Sequence, residues 1–341
     1  MTPSPRRRRS TGRITLTEVA KEASVSPITA SRALRGESSV SQELVERVRL
    51  AADRLGYIPD PAARALASSR STSVAVLVPM LSNMVFVDLI EAVNDVLFEA
   101  GYQALIGITH YDPVQEEVLI RSYLSHRPAG LMVTGFDRTE ASRRLIQASG
   151  VPCVHLMETT HAPEVYCVGF SQENAGASMT RHLIERGRKK IAYVAAQLDP
   201  RTMQRATGYR QVLKAEGLYD SKLEVVCPER SSVSLGARLF GELLQAHPEV
   251  DAIFFNNDDL AQGALYAAAA AQISVPEQIA IGGFNNLPAG EQMIPSLTTI
   301  DTPRKKIGEL AARMVIELAQ GKVVPQNSVD VGFELIVRNS S

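Results

Sequence analysis

Over the first 58 residues apolar positions recur at helical spacing; from residue 73 onward they gather into short β-branched runs separated by amphipathic stretches. Leu16, Val19, Ala20 and Ala23 share one face of a first helix. Thr15 and Glu18 open that helix as a capping box, each side chain reaching the other's backbone amide. Ser26 followed by Pro27 starts a second helix, since proline needs no N–H at the first helical position and its fixed φ already suits a helix. Leu44, Val48, Ala51 and Leu55 predict a third, preceded by Val40 and Ser41 and stopped by Gly56. Pro59 and Pro61 then disfavour helix, whereas Asp60 as a cap and the run Ala62 to Ala67 favour one too short to stand without docking against something.

Beyond residue 73 the alternation predicts strands at Val74 to Pro79, Ala104 to Ile108, Leu131 to Thr134 and Val154 to Met157. Helices are predicted near Phe86 to Ala100, Pro113 to Ser125 and Glu140 to Ala148. A second series has strands at Ile191 to Ala195, Leu223 to Val226, Ala252 to Phe255 and Ile279 to Phe284. Its helices lie near Asn174 to Arg186, Arg205 to Ala215, Val233 to Gln245 and Leu260 to Ala271. Such alternation implies parallel sheets covered on both faces, and this length exceeds one such sheet, so two similar lobes are expected. The fold class is therefore an all-α helix-turn-helix head, with a short hinge helix, followed by an α/β two-lobed core. Ligands bind outside the carboxyl ends of parallel strands, so lobes facing each other there form a cleft.

The net charge of −1 hides an asymmetry. Residues 1 to 70 carry 13 Lys and Arg against 7 Asp and Glu, or +6, and the remainder carries 23 against 30, or −7. The positive excess sits on the helical head and on the Arg6 to Arg9 run before it, where it attracts phosphates. Pro27, Ile28, Thr29 and Ser31, with Arg32 beyond, are the side chains that the second helix would present to base edges and phosphates in a major groove. Pro27 and Ile28 cannot hydrogen-bond a base edge, so at most they touch thymine methyls, and discrimination leans on Thr29 and Arg32. The partner implied is duplex DNA.

Other classes fit poorly. The six histidines lack metal-ligand spacing and no cysteine lies in a CxxC pair, so no metal and no cofactor is expected. Neither a phosphate loop nor a GxSxG elbow occurs, and an enzyme is not expected. Cys153, Cys167 and Cys227 are widely spaced and odd in number, which with the absence of a secretory or spanning apolar segment implies a cytoplasmic protein without a membrane partner.

Several ordered stretches resemble the LacI-type family of bacterial transcription regulators along essentially the whole chain. In the head these are Thr15-Leu16-x-Glu18-Val19-Ala20, Val25-Ser26-x-x-Thr29-x-Ser31-Arg32-Ala33-Leu34 and Ala51-Ala52-x-x-Leu55-Gly56-Tyr57-x-Pro59. In the core they are His182-Leu183-Ile184-x-x-Gly187, Arg205-x-x-Gly208-Tyr209, Asn257-Asp258, Val275-Pro276, Gly283-Phe284 and Pro295-x-Leu297-Thr298-Thr299. The resemblance implies a homodimer whose heads read a pseudo-palindromic operator and whose core, similar to periplasmic sugar-binding proteins, senses a metabolite. It implies a basic arm over 1–14, a head over 15–58, a hinge over 59–72 and a core over 73–341. Lobe 1 is then expected over about 73–160 and 287–325, and lobe 2 over about 161–286 and 326–341. Thr15, Arg35 and Tyr57 join the DNA-facing set, with Ala63 and Leu66 on the hinge, Leu66 being the apolar wedge at the central base step. Ser24 stands where relatives carry a turn glycine. No leucine heptad tail follows, so a dimer rather than a tetramer is expected.

For the effector the resemblance implies Phe86 as a stacking ring and Arg205 as the gripping guanidinium, with Arg201 and Thr202 beside it; Asn257 and Asp258 are read chiefly as caps of the following helix, with a second role in reaching hydroxyls. Asn285 stands where most relatives have aspartate. That exchange removes a repulsive charge, and with arginines opposite it suits an anionic polyol. Residues Ile191 to Thr202 and the head's Ser-Pro-Ile-Thr-Ala-Ser-Arg resemble the gluconate-responsive branch, so the expected effector is a sugar acid, free, phosphorylated or oxidised to a keto form. A neutral sugar or a nucleoside, a corepressor-dependent regulator, and a binding protein without DNA contact are the alternatives.

Overall fold

The computed structural model describes residues 14–58, 71–81 and 84–341, and the chain divides into two compact units at Ser71 and Thr72. In the first unit α1 (Leu16–Glu22), α2 (Pro27–Leu34) and α3 (Gln42–Leu55) surround a core of small residues, Val19, Ala20, Ala23, Ala30, Ala33, Val45, Val48, Ala51 and Ala52. Both bonds of the Thr15–Glu18 capping box are present, and Ser26 accepts from the Thr29 amide with Pro27 at the first position of α2. Gly56 closes α3 with φ 65°.

Between α1 and α2 the chain turns through Ser24 at φ 53°. A left-handed conformation costs a non-glycine residue about 1–2 kcal/mol, partly offset by the smaller freedom of serine in the unfolded chain. Ser24→Gly is therefore expected to stabilise the head by about 0.5–1 kcal/mol. Native-state hydrogen exchange on the whole chain would read this as about two- to fivefold greater protection of the head amides; unchanged protection would show that the turn is unstrained.

The second unit holds two six-stranded sheets. The first has the order β11-β5-β4-β3-β1-β2, from Ser328–Asp330, Tyr166–Gly169, Cys153–Leu156, Gly130–Thr134, Ser73–Val78 and Gln103–Ile108. All its pairings are parallel. The second has the order β12-β10-β9-β8-β6-β7, from Glu334–Ile336, Thr298–Asp301, Ala280–Asn285, Ala252–Phe255, Ile191–Ala196 and Glu224–Cys227. Only its edge pair, β10 with β12, is antiparallel. Central strands β3, β6, β8 and β9 are buried along their whole length, as parallel strands covered on both faces must be.

Helices α4 (Met84–Glu99), α5 (Pro113–Ser125) and α6 (Glu140–Ser149), with α12 (Arg304–Ala319), cover the first sheet. The second is covered by α7 (Gln172–Glu185), α8 (Pro200–Ala215), α9 (Val233–Ala246) and α10 (Asp258–Ala270), and a short α11 (Pro288–Gln292) follows β9. Helices α7 and α8 cross at bare backbone: a Cβ on Gly208 would lie 2.0 Å from the Glu173 carbonyl oxygen, and one on Gly176 2.3 Å from that of Arg205.

The expected lobe boundaries need correction. Tyr166–Gly169, expected in lobe 2, pairs with β4 in lobe 1; Thr298–Asp301, expected in lobe 1, pairs with β9 in lobe 2; and Ser328–Asp330 returns to lobe 1 beside β5. These strands have three or four residues each, too few to carry a pattern that says which sheet will take them. Helix α8 also begins earlier than expected. Asp199 caps it through the Arg201 amide and Pro200 occupies its first position, so Arg201 lies in the first turn of a helix and not in a loop.

Candidate DNA-reading helix and ligand cleft

The exposed edge of α2 is built as the pattern predicted. Ile28 is 66% exposed, and the Ser26 hydroxyl is taken up by the Thr29 amide and hydroxyl at 3.1 and 2.9 Å. The arginines, however, are tied together by a residue that sequence reasoning passed over. Glu37 pairs with Arg35 at 2.8 Å and lies 3.6 Å from Arg32, while Arg35 also donates to the Ser31 hydroxyl at 2.6 Å. Thr15 serves as the cap of α1, and Tyr57 packs half-buried against the head core. Ala63, Leu66 and the Arg6 to Arg9 run lie outside the described residues.

In the second unit a cavity of about 90 Å³ opens at the carboxyl ends of both sheets. It brings together Phe86, Arg201, Thr202, Arg205, Asn257 and Asn285, and adds Tyr111, Met157, Gln197 and Asn256, which the sequence had not singled out. Their common signal is position: they directly follow or lie just beyond β2, β4, β6 and β8. Tyr111, Met157, Gln197 and Asn285 have φ of 59°, 74°, 54° and 113°, so side chains that rarely accept positive φ converge on one site. Arg304 donates to the Asn285 carbonyl and pairs with Asp88 at 2.9 Å, fixing that turn from the opposite lobe.

Asp258 is the exception among the expected ligand residues. It is 2% exposed, and its carboxylate accepts from the Leu287 amide and the Thr299 hydroxyl, both at 2.7 Å, so it ties α10 to the strands behind it while Asp259 lines the cavity. The cap of α10 is Asn257, through the Leu260 amide. Burial pushes the Asp258 carboxyl up to about 6, against hydrogen bonds that favour its ionised form.

Because that value lies above the ordinary carboxylate value of 3.8, the folded core holds a proton there that the unfolded chain releases. The stability contributed is full below pH 3.8 and is lost as pH rises through about 6. At about 1.4 kcal/mol per unit, the advantage of wild type over Asp258→Asn should be about 2.4 kcal/mol greater at pH 4 than at pH 7.5 in urea denaturation. A pH-independent gap would show that Asp258 ionises normally.

Arg201 and Arg205 stand one turn apart on α8 and meet opposite surroundings. Arg201 pairs with Asp199 at 3.0 Å in its own lobe and with Asp137 and Glu158 of lobe 1, both at 3.2 Å. Gln204 adds a second bond across the cleft to Glu158 at 2.7 Å. Burial disfavours the Arg201 cation, yet the three carboxylates more than offset this and raise its pKa. Among the described residues Arg205 donates only to neutral acceptors, the Gln172 amide oxygen at 2.8 Å and the Asn256 carbonyl at 2.6 Å, and its guanidinium lies 3.7 Å from the Phe284 ring centroid. Burial lowers its pKa. Thr202 is engaged by Asp199 and by the Asn256 amide. The cavity thus offers a buried cation, amides, ring faces and the carboxylates of Asp199 and Asp259, a set suited to holding a small polar ligand.

Among the described residues no three His, Cys, Asp or Glu side chains gather as metal ligands, and no helix is long and apolar enough to cross a membrane.

A three-helix head with a capped reading helix, joined in one chain to a two-lobed ligand cleft, defines a DNA-binding regulator with a small-molecule core. Residues 15–60 match the family described as bacterial regulatory proteins, lacI family, and residues 71–330 match periplasmic binding proteins and sugar binding domain of LacI family. The chain belongs to the LacI family of bacterial transcription regulators. It is 52% identical to the HTH-type transcriptional regulator GntR of Pseudomonas aeruginosa, covering all of this chain and 99% of that one. It is 34% identical to the regulator of the same name in Escherichia coli, over 94% and 96% of the two chains. The solved transcription regulator GntR from Chromobacterium violaceum superposes with a TM-score of 0.77 at 43% identity, covering 79% of this chain and 99% of that one. The lac repressor dimer bound to operator superposes with a TM-score of 0.84 over 96% and 99% of the chains, and at 23% identity that likeness concerns the fold.

Proposed function

We propose that this protein is a cytoplasmic homodimeric repressor of sugar-acid catabolism genes, released from a pseudo-palindromic operator when an anionic polyol of the gluconate type fills the cleft. The observation that carries the ligand class is Arg205: 8% exposed and without an ion pair among the described residues, it lacks the counter-ion that a buried guanidinium needs. A carboxylate supplies that counter-ion, and Asn285, Asn256 and Gln197 supply donors and acceptors for hydroxyls. The resemblance of residues 191–202 to the gluconate-responsive branch supports the same reading.

Ligand and operator affinities must be reciprocally coupled. Duplexes selected from a random pool by the full-length protein are therefore expected to be released in a gel shift as gluconate is added. Release by a neutral sugar or a purine without release by gluconate overturns the ligand class, and tighter binding with gluconate overturns the sign.

A further inference from the structure

Arg201 and Arg205 lie on one helix and line one cavity, yet the three carboxylates that form ion pairs there, Asp137, Glu158 and Asp199, all pair with the first. Arg205 is left facing Gln172, a side chain with the length and shape of glutamate but no charge. Gln172 is 1% exposed. Its orientation is fixed by its other end, which donates to the Met157 carbonyl of the opposite lobe at 3.0 Å, so the amide oxygen must be the atom that accepts from Arg205 at 2.8 Å. The close crossing of α7 and α8 at Gly176 and Gly208 holds the two residues in register, and the Asn256 carbonyl and the Phe284 ring occupy other sides of the guanidinium without charge. A carboxylate at position 172 would satisfy the same bond to Arg205 and neutralise it from inside the protein.

We propose that Gln172 sets the charge class of the effector: as a neutral positioning residue it holds Arg205 in place while leaving its charge to be met by the ligand. This rests on the reading of the cleft as the effector site. It also separates the two arginines by role, Arg201 joining the lobes and Arg205 selecting for an anion. Gln172 acts through Arg205 and does not itself line the cavity.

The test is calorimetric titration of the full-length protein with gluconate and with sorbitol, its neutral polyol counterpart, for wild type, Gln172→Glu and Gln172→Met. Wild type is expected to prefer gluconate. In Gln172→Glu, gluconate affinity falls on the order of 10- to 100-fold while sorbitol affinity holds or rises, so the preference collapses. Gln172→Met removes the bonds without adding charge; it weakens both ligands by a similar factor and keeps the preference. Ligand-free operator binding reports that each variant is folded, and the methionine variant carries the test should the glutamate variant fail to fold. Equal losses for both ligands in Gln172→Glu, or a collapsed preference in Gln172→Met, overturn the role of Gln172. A wild type that ignores gluconate overturns the effector reading beneath it.

Discussion

Arg201→Met is expected to lower the unfolding free energy of the core by about 3–5 kcal/mol, the cost of leaving buried charge without its partner. Three carboxylates converge on this guanidinium, and two of them, Asp137 and Glu158, come from the other lobe. The Arg201 side chain is 6% exposed and that of Glu158 5%, so solvent screens them little. Without the cation, Asp137, Glu158 and Asp199 repel one another across the cleft, and the bond from Gln204 to Glu158 cannot offset three charges. Urea denaturation measures the loss, and small-angle scattering should show lobes further apart than in wild type. Adding Glu158→Gln to Arg201→Met should recover part of the loss, because one of the repelling charges is gone. A single variant as stable as wild type would show that the network contributes no net stability.

Arg205→Met is expected to weaken gluconate binding about 100-fold, or about 2.7 kcal/mol, while ligand-free operator binding and core stability stay near wild type. The binding loss follows from removing the cation to which an anionic ligand makes charge-assisted hydrogen bonds. Stability follows a different balance from that at Arg201. Methionine leaves the Gln172 and Asn256 oxygens unpaired, but it also removes a buried cation that has no counter-ion among the described residues. These opposing terms should leave the change within about 1 kcal/mol. Calorimetric titration and urea denaturation on the same variant separate the effects; gluconate affinity within threefold of wild type would remove Arg205 from the ligand site.

The head was readable because its determinants are local. The capping box joins Thr15 to Glu18, the second cap joins Ser26 to Thr29, and Gly56 stops α3, all within a turn of chain. The strand and helix alternation of the core was equally plain, since its central strands are buried throughout and read as apolar runs. Less was visible at the cleft. Phe86, Arg205 and Asn285 were singled out and do line it, whereas Tyr111, Met157, Gln197 and Asn256 were not, because nothing in an isolated tyrosine or asparagine marks it as standing just past a strand. Asp258, expected chiefly to cap α10 and also to reach hydroxyls, leaves the cap to Asn257 and ties α10 to Leu287 and Thr299, a direction that depends on segments 29 and 41 residues away.

By itself the sequence determined the three-helix head, the charge split that points the head at DNA, the α/β nature of the core and the presence of two arginines near one helix start. Only the tertiary structure decided which short strand crosses to which sheet and which of those arginines is neutralised. Arg201 meets Glu158 and Asp137 from 43 and 64 residues away, and Arg205 meets Gln172 from 33 residues away. Caps and periodicity arise from interactions within a helical turn and can be read along the chain. Charge compensation is a sum over whatever folding brings within about 4 Å, where a Coulomb interaction in a buried site outweighs any local preference.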